Sequence, residues 1–344
     1  MQLYINSFGA YIHVKDEMFE IRIKSNNDNG QIRHFSSTKI TGIIMNKGAA
    51  ISTDAIMLAM KHNVDILFLD NWGNPIGRVW HSKLGSTSLI RKEQLKSSLN
   101  KEGLRATKEW IATKIANEID FLKDLKKHRE QQKQYIDTKI EAINNLKISV
   151  EQLDGNSTDE IAQQIRGLEG TSSRIFYELL SELLAKPYQF EGRSTRPAKD
   201  QFNAFLNYAF GMLYGRVEKC LILAGLDPYL GYLHRDDYNQ KSFVFDFIEP
   251  FRIYAIEVVF RLFSAKKVNK SHTDEIKNGF SLNSDGKKLL VEAYNNFMNN
   301  DEIRYKGKNQ TRNNIILYEA RSYANSLIKE QEVETNDIDE IFEL

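Results

Sequence analysis

The spacing of apolar residues changes once along this chain, from two to 3.6 near Ser88, and no other feature constrains the fold as much. Before that point LYINS, AYIHVKD, MFEIRIKS and TGIIMNK carry alternating or β-rich apolar positions, separated by turn clusters such as NNDNGQ. They predict strands. STDAIMLAMKHN predicts a short helix capped by Ser52 or Thr53, and DILFLD a further strand leading into the turn NWGNP. Beyond Ser88, stretches such as KEWIATKIANEIDFLKDL and YIDTKIEAINNLKISVEQL place apolar residues three and four apart with hardly any proline, so they predict helices. The expectation is an α+β protein: a small N-terminal β-rich domain over residues 1–85, followed by a larger all-α domain over residues 86–344.

A chain of 344 residues, 41% hydrophobic and 11% aromatic, can fill two cores. Its 47 Lys and Arg against 46 Asp and Glu exclude a globally basic nucleic-acid binder, so any basic face must be local. A lone cysteine, Cys220, excludes an internal disulfide and offers no zinc-ribbon spacing, which fits a reducing, cytoplasmic setting. The start MQLYINSFGAYIHVKDEMF lacks a secretory signal, and no run approaches the roughly 20 apolar residues that cross a bilayer. No membrane partner is expected. The polar stretch KDLKKHREQQKQYIDTK reads as a solvated helix face, with a phosphate-contacting stripe as the lesser reading. The acidic end EQEVETNDIDEIFEL predicts a short terminal helix or a frayed tail, without chemistry.

Chemistry concentrates in FVFDFIEPFR, where Asp246 and Glu249 interrupt a run otherwise fit for a core. An apolar neighbourhood disfavours an ionised carboxylate unless it finds a hydrogen bond, a counter-charge or a metal. Three residues apart on a helix, the pair faces one way, and Pro250 is tolerated if the helix begins near Asp246. An ordinary salt bridge from Glu249 to Arg252 would also account for it. His234 ends ILAGLDPYLGYLH, and the polar loop RDDYNQK returns the chain to the acids, with Asp236 and Asp237 as rival ligands. His234-Arg235-Asp236 spells the start of a kinase catalytic loop, but Lys241 stands where asparagine is required and no glycine-rich loop precedes it. Kinase chemistry is excluded.

Glu169, within RGLEGTSSRIFYELLSELL, reads by itself as an acid near a helix N-terminus, with Gly167 and Gly170 marking close packing or a turn. Together with His234 and the 246/249 pair it makes a set suited to Mg²⁺ or Mn²⁺ with open positions for phosphate oxygens. Arg193, Arg196 and Lys199 cluster in a loop ahead of a helix beginning near Asp200, where charge and free amides could receive phosphate.

In order, Arg166-Gly-Leu-Glu169-Gly170, Arg196-Pro197 with Asn203-Ala-Phe-Leu-Asn-Tyr208, Gly231-Tyr-Leu-His234 and Phe245-Asp246-Phe-Ile-Glu249-Pro-Phe-Arg252 resemble the signature of the CRISPR adaptation integrase family, Cas-one. The resemblance covers nearly the whole chain. It implies metal ligation by Glu169, His234 and Glu249, with Asp246 completing the catalytic set from the site's edge. Arg196 and Asn203 match residues that line the DNA path or organise the site, and with Arg193 and Arg252 they are the expected DNA-binding residues. The implied activity is metal-dependent phosphoryl transfer on DNA: the 3′-hydroxyl of a captured fragment attacks the repeat, or water attacks in its place. The implied partners are double-stranded DNA, a second copy of the chain paired through the β-domain, and the small protein Cas-two, clamped by two such dimers. A noncatalytic scaffold with a structural metal, and an integrase of a mobile element, are the competing readings.

Overall fold

Strands β1 (Gln2–Ile5), β2 (Tyr11–Lys15), β3 (Met18–Ile23), β4 (Gln31–Ser36), β5 (Gly42–Asn46) and β6 (Ala50–Ile51) precede helix α1 (Thr53–Lys61) and strands β7 (Asp65–Leu69) and β8 (Pro75–Val79). The computed structural model describes residues 2–5, 7–23, 31–40, 42–62, 64–69, 75–79, 87–234 and 240–332. Two four-stranded sheets form. One runs β1-β5-β7-β8, parallel except for the β7-β8 pair, and the other runs β4-β3-β2-β6 with antiparallel β4-β3-β2. Period-two patterning buries one face: Ile12, Phe19, Ile21, Ile43, Met45 and Ile66 share a core with Ala55 and Ala59 of α1. Ser52 caps α1 by accepting from the Ala55 amide.

The rest of the chain runs α2 (Thr87–Ser98), α3 (Lys101–Lys126), α4 (Lys133–Gln152), α5 (Thr158–Glu182), α6 (Gln201–Leu223), α7 (Ser242–Phe247), α8 (Arg252–Ser264), hairpin β9 (Thr273–Ile276) with β10 (Gly279–Leu282), α9 (Ser284–Asn299), hairpin β11 (Glu302–Tyr305) with β12 (Lys308–Thr311), and α10 (Arg312–Glu332). The chain divides into two compact units, Met1–Gly85 and Ser86–Leu344. The expected α+β class, a β-rich part followed by a helical part, is the observed one. Among the described residues no helix is long and apolar enough to cross a membrane.

Four expectations need correction. The second unit is not all helix, because two short hairpins interrupt it. Their turns are built from residues with positive φ, Asn278 at 66° in the first and Lys306 and Gly307 at 44° and 83° in the second. Gly279 is required beside its turn, since a Cβ there would collide with the Ala198 carbonyl. The polar stretch after Lys123 is not one helix face: α3 stops at Lys126, a 3-10 turn spans Glu130–Gln132, and α4 begins at Lys133. Exposed pairs such as Lys127–Asp124, at 3.1 Å, balance its charge locally. Glu169 lies well inside α5, and a Cβ on Gly167 or Gly170 would meet nothing within 4 Å, so neither a helix start nor close packing explains that segment. Finally, helix α7 ends at Phe247 and Glu249 opens a 3-10 turn, Glu249–Phe251, that runs into α8; Pro250 sits in that turn's first positions.

Candidate active site

One face of α3 builds the floor. Residues Gly103, Thr107, Trp110, Lys114 and Glu118 recur every three or four positions, and all are buried. Trp110 stacks on Tyr232 at 5.8 Å between ring centroids and meets Phe243 and Phe247 of α7 edge-on at 5.6 and 5.5 Å. Asn117 donates its amide to the Pro250 carbonyl at 2.8 Å, which ties the 3-10 turn to α3. The apolar run FVFDFIEPF is therefore buried as expected, with its two acids turned to different tasks.

Asp246, 2% exposed, accepts from the backbone N–H of Tyr232 at 2.5 Å and from those of Leu233 and His234 at 3.1 Å. It also accepts from Nδ1 of His234 at 2.5 Å. These bonds account for a buried carboxylate without any metal, and they orient the imidazole with Nδ1–H towards Asp246 and Nε2 turned away from it. Arg166 of α5 donates to the Leu233 carbonyl at 2.9 Å, drawing the His234 segment towards the helix that bears Glu169.

Glu249 and Glu169 instead share a cation supplied by the chain. The ammonium of Lys114, 5% exposed, donates to Glu169 Oε1 and lies 2.9 Å from Glu249 Oε2 without the geometry of a hydrogen bond. Arg252 donates through Nε to Glu249 Oε1 at 2.7 Å, so the salt bridge anticipated between these two exists. Burial would raise the Glu249 pKa, but Arg252 and Lys114 together overcome it and hold the carboxyl at about 2. Lys114 is pushed the other way: burial opposes its charge, and Glu249 and Glu169 raise its pKa above the ordinary lysine range. Glu118, one turn along α3, is pushed up to about 7 by burial, against the pull of Lys114.

The expected DNA-binding residues divide. Arg252 and Arg193 each lie 5.3 Å from the centre of the Phe210 ring, so two guanidiniums share one aromatic beside Glu249. Arg196 is exposed on the loop ahead of α6. Asn203 is fully buried: its amide donates to the Gly192 carbonyl at 2.8 Å and to Asp200 at 2.7 Å, and its oxygen accepts from Arg193 and Ser194. That geometry organises the loop and presents Arg193, and it leaves no atom for DNA. The α6 N-terminus is likewise committed, because Asp200 accepts from the backbone N–H of Asn203 at 2.7 Å; a carboxylate occupies the place anticipated for phosphate. Asp236 and Asp237 lie outside the described residues, as does most of the acidic end of the chain.

Among the described residues no three His, Cys, Asp or Glu side chains stand together as a ready ligand cage, so Glu169, His234 and Glu249 are not gathered around one point. The donor chemistry nevertheless fits a hard divalent ion. Two carboxylates from distant segments converge on the Lys114 ammonium, Glu249 Oε2 has no hydrogen-bond partner among the described residues, and the His234 imidazole is pinned through Nδ1 in a segment whose Leu233 carbonyl accepts from Arg166 of α5. The sequence reading missed Lys114, Asn117 and Glu118. Its available signal was two charged residues four apart on the stripe set by Trp110 and Phe121.

The family model for CRISPR associated protein Cas1 matches residues 3–296. The CRISPR-associated endonuclease Cas1 1 of Archaeoglobus fulgidus is 30% identical over 332 residues, 93% of this chain and 94% of that protein. The CRISPR-associated protein Cas1 3 of Methanobrevibacter ruminantium is 30% identical over 299 residues, 85% of this chain and 86% of its own length. Among solved structures, a casposase bound to integration product superposes with a TM-score of 0.78 at 22% identity, covering 100% of this chain and 95% of that one. A Cas1 protein from Thermotoga maritima gives 0.77 at 20% identity over 96% and 98%. The two likenesses in structure concern the fold, whereas the family model and the relatives settle the affiliation: this chain belongs to the Cas1 family.

Proposed function

We propose that the chain is a divalent-metal-dependent DNA integrase and endonuclease of CRISPR adaptation, joining captured fragments to a repeat array. The observation that carries this reading is the convergence of Glu169, from α5, and Glu249, from the turn before α8, on one buried cation. Glu169, Glu249 and Nε2 of His234 would hold Mg²⁺ or Mn²⁺. Bound there, the ion would polarise a phosphodiester and lower the pKa of the attacking hydroxyl. Asp246 keeps the His234 ring turned with Nδ1–H towards itself, so the ring offers Nε2 to the site. Arg252 orients Glu249, and with Arg193 it presents positive charge to the phosphate of a DNA strand; exposed Arg196 contacts the backbone from the loop. Attack by a 3′-hydroxyl gives strand transfer, and attack by water gives cleavage.

The partners proposed are double-stranded DNA, a second copy of the chain and a Cas2 subunit, with two dimers flanking one Cas2 dimer. Support comes from a Cas6-RT-Cas1–Cas2 complex, which matches this fold with a TM-score of 0.73 over 96% of the chain. The first unit exposes Tyr4, Phe8, Tyr11, Ile32, Met57 and Ile76, apolar area suited to pairing protomers. The deciding experiment supplies a labelled short duplex with free 3′-hydroxyls, a supercoiled plasmid with or without a repeat array, and the cognate Cas2, with Mn²⁺, Mg²⁺ or chelator. Metal-dependent joining at the array that disappears in Glu249→Ala is the expected result. DNA bound without joining would leave a scaffold, and joining indifferent to the array would point to a mobile-element integrase.

A further inference from the structure

Both carboxylate oxygens of Glu118 are buried without a hydrogen-bond partner among the described residues, and the residue is only 1% exposed. A carboxyl in that state is costly, and nothing in the proposed chemistry uses it. One turn before it on the same face of α3 stands Lys114, whose ammonium fills the space between Glu169 and Glu249. A divalent cation taking those two carboxylates cannot share that space with an ammonium, because like charges so close repel strongly where Lys114 and Glu249 are buried. The displaced ammonium is buried and then needs an acceptor, and its helix neighbours three and four positions on are Asn117 and Glu118, of which only Glu118 can supply a negative charge.

We propose that Lys114 is a positioning residue that exchanges partners: it holds Glu169 and Glu249 facing one another before metal binds, and pairs with Glu118 once a divalent cation has taken them. This rests on the metal-site reading above. Lys114 and Glu118 are four residues apart, within the span that a lysine stem covers on a helix, and the two already interact electrostatically. The exchange accounts together for a lysine buried between two ligands and for a carboxylate left unpaired beside it. It also assigns each a role that involves no contact with DNA.

The test is a double-mutant cycle on metal affinity, without DNA, using Mn²⁺ followed by electron paramagnetic resonance and calorimetry on the full chain. Glu118→Gln should weaken Mn²⁺ binding about tenfold, the scale of losing an outer partner at a metal site. Lys114→Met should bind Mn²⁺ at least as tightly as the wild type, since no ammonium has to leave. In the Lys114→Met background Glu118→Gln should have no further effect. Circular dichroism and the melting temperature without metal confirm that each variant folds, and Lys114→Gln completes the cycle should the methionine variant not fold. An equal loss from Glu118→Gln in both backgrounds would overturn the exchange and make Glu118 a direct ligand. Weaker binding by folded Lys114→Met, or no effect of Glu118→Gln anywhere, would also overturn it. Glu249→Ala separates the two levels: if the wild type binds Mn²⁺ and Glu249→Ala does not, the metal site stands whatever the cycle shows. If the wild type binds none, the site and the exchange fall together.

Discussion

Asp246 faces only hydrogen-bond donors: three backbone N–H groups and Nδ1–H of His234. A carboxylate accepts from all of them, whereas the amide of Asn would turn an NH₂ against at least one N–H. Asp246→Asn is therefore expected to lose about 3 kcal/mol of stability, the cost of an unsatisfied buried group with a weakened network, and to lose strand transfer as His234 comes free. Urea unfolding beside the joining assay checks both; a variant as stable as the wild type would refute the account of Asp246. Glu118 gives a prediction with a pH sign. Its carboxyl titrates near 4.5 unfolded and about 7 folded, so between those values the native state binds more protons, and stability falls as pH rises through the window. At about 1.4 kcal/mol for each pH unit of the gap the penalty is on the order of 3 kcal/mol. Glu118→Gln removes it, so its stability relative to the wild type should improve by that amount between pH 4 and pH 8. A difference that stays flat across that range would mean that Glu118 titrates alike in the folded and unfolded chain.

Helix α3 does the positioning at the next scale up. Trp110 fixes α7, Asn117 fixes the 3-10 turn, and Lys114 fixes the two glutamates, all from one face. Asn117→Ala removes only the clamp on Pro250. It should cost about 1 kcal/mol of stability and a larger share of Mn²⁺ affinity, because Glu249 stands at the start of the released turn; equal losses in both would make the clamp merely structural. The same helix shows what a sequence discloses and what it withholds. Its amphipathic period is legible, as are the strands β1, β2, β3, β5 and β7, because burial on one face imposes a period. Strands β4 and β8 and the two late hairpins are not. The hairpin strands are four residues long and largely polar, and only Asn278 with the Gly279 that follows its turn, and the turn Lys306-Gly307, signal them. In the site, Asp246 and Glu249 stand out because they interrupt an apolar segment, and His234 because it ends one. Lys114 and Glu118 hide within a helix whose every other turn carries charge, and only tertiary packing makes that face a buried one.

On the scale of the whole chain, none of the described residues belongs to both hydrophobic cores: one gathers Leu3 to Ile66, and the other Ile90 to Ile328. Every residue of the proposed site, from Lys114 to Arg252, stands in the second unit. Residues 86–344 expressed alone should then unfold in one cooperative transition and bind Mn²⁺ as the full chain does, since neither the core nor the ligands draw on the first unit. The exposed aromatic and aliphatic side chains proposed to pair protomers lie on residues 1–85, so the shortened chain should elute as a monomer where the full chain elutes as a dimer. Circular dichroism melting, calorimetry and light scattering on the same preparation read all three. A shortened chain that melts broadly or binds no Mn²⁺ would show that the first unit completes the second one's fold. One that binds Mn²⁺ and still dimerises would move the pairing surface onto the helices. If the chain acts on DNA as proposed, its balanced charge requires a basic surface assembled locally, with Arg193, Arg196 and Arg252 as the proposed centre, and copies paired through the first unit would multiply that surface without adding to the proposed chemistry.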